Sequence, residues 1–277
     1  MQLNDIKSIE CFGVPGSGKT YIRNEIKKIL KRSNLKILDR RELIITEYKS
    51  VIELNFLERQ AINYFKLLNF IKDKNIKDNM QKVLIDNNKD KKYSINVLKN
   101  TQLYLKNKYE AICKKILLKD VETKKLYRFI SKILRESKDV RKKQYHFWFV
   151  EILAAISIFK KIKNKRNFIY FPDEGLIQRT FLLNRLIQRK NINIIKEYLK
   201  IIPKAELIFN ITSKNEKIQK VQNLRKLTIS DFLLNKIEID KMIDFKKKFI
   251  RDYVNFDYKT IENNSRLKKT LKNYFKN

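Results

Sequence analysis

Glycine is confined to very few positions in this chain, and its distribution limits the folds that the chain can adopt. The 277 residues include four glycines, whereas an average usage of about 7% would give roughly 19. Three of them, Gly13, Gly16 and Gly18, lie in the segment GVPGSGKT. Glycine adopts backbone conformations that a Cβ disfavours, and it lets other atoms approach the main chain closely. A chain that otherwise avoids glycine therefore needs these properties at one turn.

The segment Gly13–Thr20 matches the pattern G-x-x-x-x-G-K-[ST] in full, and its surroundings fit the pattern as well. The apolar run IKSIECF predicts a buried strand before it, and apolar residues at helical spacing predict a helix from Lys19 onward. Backbone N–H groups in such a loop, together with the positive end of the helix dipole, bind phosphate oxygens. The residues predicted to bind phosphate are Gly13, Val14, Pro15, Gly16, Ser17, Gly18, Lys19 and Thr20. Lys19 is expected to reach the β- and γ-phosphates, and the Thr20 hydroxyl is expected to ligate Mg²⁺.

The fourth glycine, Gly175, follows the run FIYFPDE, which is apolar and ends in two acids. A hydrophobic strand that ends in an acid is the Walker B pattern, so Asp173 is predicted to hold Mg²⁺ directly or through water. Glu174 is predicted either to polarise a nucleophile or to orient the metal ligands without binding the metal itself. The alternative is an ordinary strand-to-loop turn with exposed acids.

The long middle part of the chain is predicted to be helical. Between Gly18 and Pro172 it contains neither glycine nor proline, the strongest breakers of regular structure. We therefore predict a large helical insertion over residues 47–165, which we expect to bind the acceptor, and a core formed by 1–46 and 166–277. Strands are predicted at 6–12, 35–38, 167–175, 205–212 and near the C-terminal end. Strands that alternate with helices in this way favour a three-layer α/β fold with a parallel sheet.

Positive charge dominates the composition, with 64 Lys plus Arg against 30 Asp plus Glu and a formal net charge of +34. Such a charge favours an anionic partner, for example nucleic acid, another anionic polymer or an anionic membrane surface. Basic patches such as residues 160–166 would make the contact. The alternative is a coding bias toward lysine and solvated helix faces, although that bias does not explain the shortage of acids.

The sequence shows no signal peptide and no transmembrane segment. The longest apolar run, residues 147–159, is too short to span a bilayer and contains Glu151. Of the two cysteines, Cys11 and Cys113, the first lies in the apolar run predicted as a buried strand, so we expect no structural disulfide and a reducing compartment. We therefore expect a soluble, cytoplasmic protein.

The order of the predicted elements is similar to that of a known family. A strand, GVPGSGKT, a helix, a short strand, a helical region, FIYFPDEG and IPKAELIFNIT follow one another. This order resembles the P-loop nucleoside and nucleotide kinases, and thymidylate-kinase-like members are nearest in layout. The resemblance implies a P-loop NTPase fold whose five-stranded parallel sheet has the order 2-3-1-4-5, with the helical insertion between strands 2 and 3. It also implies ATP as the donor of a γ-phosphoryl group.

The resemblance assigns three further residues by position. Asp39 lies where nucleoside kinases place an acid that deprotonates the acceptor hydroxyl, and Glu174 stays an alternative for that base. Arg179 and Arg225 are implied to stabilise charge on the transferring phosphoryl group. The chain departs from thymidylate kinases at Asp173-Glu174-Gly175, where those enzymes usually have Asp-Arg, and its insertion is longer. The acceptor therefore stays open among nucleosides, nucleotides and sugars.

Two functions follow from these patterns. The first is an ATP-dependent small-molecule kinase with ATP and Mg²⁺ as cofactors. The second is a P-loop ATPase that nucleic acid or another polyanionic partner stimulates, and the net charge favours it.

Overall fold

The computed structural model describes residues 6–31, 35–70, 91–164, 167–187, 192–214, 216, 218, 236–254, 256–262 and 266–274. The chain divides into two compact units. Unit 1 comprises Met1–Asp39, Phe129–Lys142 and Lys163–Asn277, and unit 2 comprises Arg40–Arg128 and Lys143–Ile162. The sequence predicted a core of residues 1–46 and 166–277 and an insertion of residues 47–165. This division into units does not test that prediction.

The strands described by the structure all lie in unit 1. They are β1 (Ile9–Phe12), β2 (Lys36–Leu38), β3 (Phe168–Tyr170), β4 (Leu207–Thr212) and β5 (Lys259–Glu262). The described helices are, in chain order, α1 (Lys19–Lys31), α2 (Arg40–Glu47), α3 (Phe56–Phe70), α4 (Lys91–Leu117), α5 (Val121–Glu136), α6 (Lys142–Ile162), α7 (Leu176–Leu186), α8 (Ile192–Ile201), α9 (Lys236–Asp252) and α10 (Leu267–Tyr274). Every described regular element between β2 and β3 is helical. None of the described helices is both long enough and apolar enough to cross a bilayer.

The strands pair in parallel and form two sheets. One sheet has the order β1-β4-β5 and the other consists of β2 and β3. Ile9 is paired with Leu207 at the start of the β1–β4 ladder. Lys36 is paired with Phe168 at the start of the β2–β3 ladder. The carboxyl ends of the strands within each sheet therefore lie at one edge, where the loops after β1, β2 and β3 begin.

The prediction of one continuous five-stranded parallel sheet was wrong. In the described residues, only an isolated parallel bridge between Ser8 and Tyr170 lies between β1 and β3, with the Tyr170 N–H donating to the Lys7 carbonyl at 2.8 Å. The next donor in this register would be the backbone nitrogen of residue 172. That residue is a proline, which has no N–H. The ladder therefore stops after one bridge, and the two sheets remain separate.

Side-chain packing nevertheless joins strands of the two sheets in one apolar cluster. A single cluster of buried residues includes Ile9 of β1, Ile169 of β3 and Leu271 of α10. Helix α1 contributes Ile22, Ile26 and Leu30, which share one face because they recur every four residues. β1 is covered on both faces, since Phe12 also packs edge-on against Phe249 of α9, with ring centroids 5.9 Å apart. This burial explains why three of the four residues of β1 are apolar.

Unit 2 is helical in its described part. Its core includes nearly the whole of α6 from Tyr145 to Ile158, together with residues of α2, α3 and α4. Phe65 of α3 packs on Tyr109 of α4, with ring centroids 4.2 Å apart. Thr123, in the first turn of α5, donates its hydroxyl to the carbonyl of Leu117, the last residue of α4, at 2.7 Å.

Candidate phosphate-binding site

The loop between β1 and α1 owes its shape to two glycines with left-handed backbone conformation. Gly16 has φ of 91° and Gly18 has φ of 92°, values that residues with a Cβ rarely adopt. Between them, the Ser17 N–H donates to the Val14 carbonyl at 3.0 Å and closes a tight turn. The chain then enters α1 directly at Lys19. Glycine is required at these two positions by conformation.

Gly13 is required for a different reason, which is space. A Cβ at this position would lie 2.7 Å from the Ile211 carbonyl oxygen and 2.9 Å from Ser17 Oγ. Both distances are below van der Waals contact, and the first involves backbone that cannot easily move. The loop therefore passes directly against the end of β4, and a larger residue would push it away.

Lys19 directs its ammonium back into the loop. Its Nζ donates to the Gly13 carbonyl at 2.8 Å and to the Val14 carbonyl at 3.2 Å. It is also the first residue of α1, where the unpaired N–H groups and the helix dipole favour an anion. The loop, the helix start and the ammonium together form a cradle whose chemistry fits a phosphate group.

A buried carboxylate explains the fourth glycine. Glu10 of β1 is only 4% exposed, and its Oε1 accepts a hydrogen bond from the Gln178 N–H at 3.0 Å. A Cβ on Gly175 would lie 2.0 Å from the Glu10 Cδ and 2.3 Å from its Oε2. The carboxylate thus occupies the space that a side chain at 175 would need. Gly175 precedes α7, so Glu10 caps the start of that helix.

The pKa of Glu10 is raised from 4.5 to about 7, and burial is the largest cause. Backbone N–H groups at the start of α7 and the charge of Arg179 act in the opposite direction and lower the pKa. The carboxylate is therefore stabilised chiefly by helix N–H groups. Burial outweighs these lowering effects and favours the protonated form relative to an exposed glutamate.

Gln178 joins the glycine loop to the segment that follows β3. Its backbone N–H binds Glu10, and its side-chain Oε1 accepts a hydrogen bond from the Gly13 N–H at 2.8 Å. Both bonds are buried. The start of α7, which directly follows Asp173 and Glu174, is thereby fixed beside the glycine loop.

The two predicted acids have different surroundings. Asp173 is exposed, so its carboxylate is accessible to a hydrated cation. Glu174 forms an ion pair with Arg179, with 3.0 Å between Oε2 and Nη1. Arg179 is 4% exposed, so its guanidinium is held against Glu174 below the surface. Thr20 is exposed on the first turn of α1. A hydroxyl and a carboxylate, with waters and phosphate oxygens, are ligands that suit Mg²⁺.

Asp39 follows β2 and lies near Arg23, a residue that the sequence analysis did not identify. Arg23 of α1 places Nη2 3.9 Å from Asp39 Oδ2. The same Nη2 donates to the Phe171 carbonyl at 3.0 Å, and the guanidinium carbon lies 5.5 Å from the centre of the Phe171 ring. Arg23 therefore ties the end of β2 to the end of β3, one helical turn after Lys19.

Two groups of predicted residues are thus brought together, and one predicted residue cannot be placed. Gln178 links the glycine loop to the acid segment, and Arg23 links Asp39 to the end of β3. Arg225 lies outside the described residues. Glu10 could have been noticed in the sequence as a single acid inside an apolar strand. Gln178 and Arg23 carry no local signal, because their partners are distant in the sequence.

Comparison of the chain with protein-family models, with curated proteins and with solved structures found no match.

Proposed function

We propose that this protein is a P-loop ATP-dependent phosphotransferase that transfers the γ-phosphoryl group of ATP to a small molecule. One observation carries the proposal: the loop from Gly13 to Gly18 combines two left-handed glycines with an inward-pointing Lys19 ammonium at a helix start. Such a loop presents N–H groups and a positive charge to a phosphate. Its occurrence in a chain with four glycines makes a chance arrangement a poor explanation.

Each residue near the loop then has a role in binding. Lys19 exchanges its carbonyl partners for β- and γ-phosphate oxygens and neutralises their charge. Thr20 and Asp173 would hold Mg²⁺, which supplies further charge neutralisation when bound. Glu10 and Gln178 keep the loop and the acid segment in register through their buried hydrogen bonds.

The transfer step uses the other predicted residues. Asp39, oriented by Arg23, accepts the proton of the acceptor hydroxyl, and Glu174 is the alternative base. Arg179 and Arg225 stabilise charge on the transferring group, and Arg179 would first have to leave Glu174 or act together with it. The acceptor is a nucleoside, a nucleotide or a sugar. Both cysteines are free and buried, which supports a cytoplasmic location.

The net charge of +34 favours a second candidate function. In that case the same loop hydrolyses ATP, and contact with nucleic acid or another anionic polymer stimulates hydrolysis. The two functions differ in the destination of the γ-phosphate.

The test follows the γ-phosphate of labelled Mg-ATP in the presence of pooled nucleosides, nucleotides and sugars, with parallel samples that contain DNA or RNA. We expect label on a small molecule, and we expect its loss in Lys19→Ala but not in Lys31→Ala, which removes an exposed lysine from the same helix. Release only as free phosphate, faster with nucleic acid, would favour the ATPase. Wild-type turnover in Lys19→Ala would overturn both functions.

A further inference from the structure

Helix α9 carries a buried lysine whose position has no structural need for a charge. Lys246 is 8% exposed, and its Nζ donates to the Ile211 carbonyl at 2.6 Å. Within the part of the chain that the structure describes, Lys246 forms no ion pair. A buried ammonium without a carboxylate partner lowers stability, because burial removes its hydration. A neutral donor could bind the same carbonyl with a smaller loss of folding stability.

The carbonyl that binds Lys246 also marks the edge of the phosphate-binding loop. It is the Ile211 oxygen that would lie 2.7 Å from a Cβ on Gly13. The same helix contributes Ile243 to a small apolar cluster with Val14 of the loop. Lys246 therefore lies beside the loop on the β4 side, while Lys19 binds the loop's own carbonyls.

The two ammonium groups also act on one another. The pKa of Lys246 is lowered from 10.5 to about 8, first by burial and then by the positive charge of Lys19. Lys19, on α1, is thus the charged neighbour that shifts this group. The described contacts that α9 makes with the glycine loop, α7 and β1 are apolar and involve Val14, Phe181 and Phe12 respectively. Two cations are therefore held close together beside the glycine loop.

We propose that Lys246 is a second phosphate-binding cation of this site, which contacts the nucleotide triphosphate together with Lys19. The inference rests on the proposed function, since it requires that the loop binds a nucleotide. A triphosphate carries several negative charges, and it removes the repulsion between the two ammonium groups by compensating both. Lys246 has two further N–H donors besides the one given to Ile211.

Binding is then coupled to proton uptake. Near pH 8 the ammonium of Lys246 is partly deprotonated in the free protein, and a bound triphosphate raises its affinity for the proton. The phosphate itself contributes little at this pH, because the last pKa of a phosphate ester lies near 6. A lysine that only supports the end of β4 would not produce this coupling.

The experiment is calorimetric titration of the full chain with Mg²⁺ and a hydrolysis-resistant ATP analogue at pH 8, in two buffers of different ionisation enthalpy. We expect the wild type to take up about half a proton on binding. We expect Lys246→Met to lose this uptake and to bind about 10- to 100-fold more weakly. Lys247→Met removes the next residue, which is exposed, and should keep both properties.

The outcomes separate the inference from the proposed function. If the wild type binds, Lys19→Met does not, and Lys246→Met keeps its affinity and proton uptake, the inference is overturned and the function stands. If Lys246→Met changes only the melting temperature, the lysine is a structural donor and the inference is equally overturned. If the wild type binds no analogue, both fail. Lys246→Arg, which keeps the charge, should retain affinity within a few fold.

Discussion

Glu10 of unit 1 and Glu151 of unit 2 are the two most deeply buried acidic side chains that the structure describes, and they have different kinds of partner. Glu151 of unit 2 is fully buried, and its oxygens lie 2.7 Å from Arg40 Nε and 3.0 Å from Arg41 Nε. The Tyr109 hydroxyl donates to the same carboxylate at 3.1 Å. Glu10 of unit 1 instead accepts hydrogen bonds from backbone N–H groups at the start of α7.

The cations of the two units also differ in the kind of partner that they bind. The bonds described for Lys19 and Lys246 go to backbone carbonyls, whereas Arg41 is bound to Glu151 and lies over the Phe65 ring. Opposite charges neutralise one another in unit 2, which suits a structural role. Backbone dipoles solvate a charge without cancelling it.

The largest effect is expected from breaking the ion cluster of unit 2. Glu151→Leu leaves two guanidinium groups without their shared carboxylate and should lower the free energy of unfolding by about 3–5 kcal/mol. Urea denaturation measures the change. The control is Glu122→Leu, which removes an exposed partner of Lys160 and should change stability very little. Similar effects of the two variants would remove the distinction between the units.

The pH dependence of stability should come from Glu10. Its pKa is higher in the folded state than in the unfolded state. The contribution of Glu10 to the free energy of unfolding is therefore fully present below about pH 4.5 and is lost as the pH rises through about 7. The loss corresponds to about 3 kcal/mol for a shift of this size. Glu10→Gln should therefore be more stable than the wild type at pH 8, and the difference should disappear near pH 5. Denaturation midpoints at the two pH values measure it, and an equal difference at both would contradict the assignment.

Gly175→Ala tests the packing around the same carboxylate. The added Cβ would overlap the Glu10 carboxyl group, so we expect a loss of about 1–3 kcal/mol in the free energy of unfolding. Combining it with Glu10→Ala removes the overlap, and the two changes should then be less than additive. Additive losses in this double-mutant cycle would show that the glycine has another purpose.

The smallest effect concerns Arg23, which binds both a backbone carbonyl and an acid. Its Phe171 contact is a hydrogen bond at 3.0 Å, whereas Asp39 lies 3.9 Å away. We expect Arg23→Met to lower the free energy of unfolding by about 1–2 kcal/mol, and Asp39→Asn to lower it by less. A larger loss in Asp39→Asn would mean that the charge pair, rather than the backbone, stabilises Arg23.

The candidate site could be predicted from the sequence only where its chemistry is local. Gly13 to Thr20 are consecutive, so the turn, the lysine and the helix start can be recognised together. Gly175 could be recognised as unusual, but its reason, Glu10, lies in another strand. Lys246 could not be singled out among 64 basic residues, because its burial depends on how α9 packs.

The strands were easier to predict than the sheet that they form. Apolar runs at 6–12, 35–38 and 205–212 contain β1, β2 and β4, since burial on both faces leaves a local pattern. The continuity of a sheet instead depends on hydrogen bonds between distant strands. Pro172 was visible in the sequence, but its effect on the ladder depends on the register that pairs Tyr170 with Ser8.

The single bridge between Ser8 and Tyr170 has a consequence for amide hydrogen exchange in unit 1. Amide hydrogens within one ladder exchange together when that ladder opens. Because only this bridge joins the two sheets in the described residues, β1, β4 and β5 should exchange as one group and β2 and β3 as another. The three-residue strands of the second group should exchange sooner. Asp39 follows that less protected ladder, whereas the glycine loop follows the better protected one.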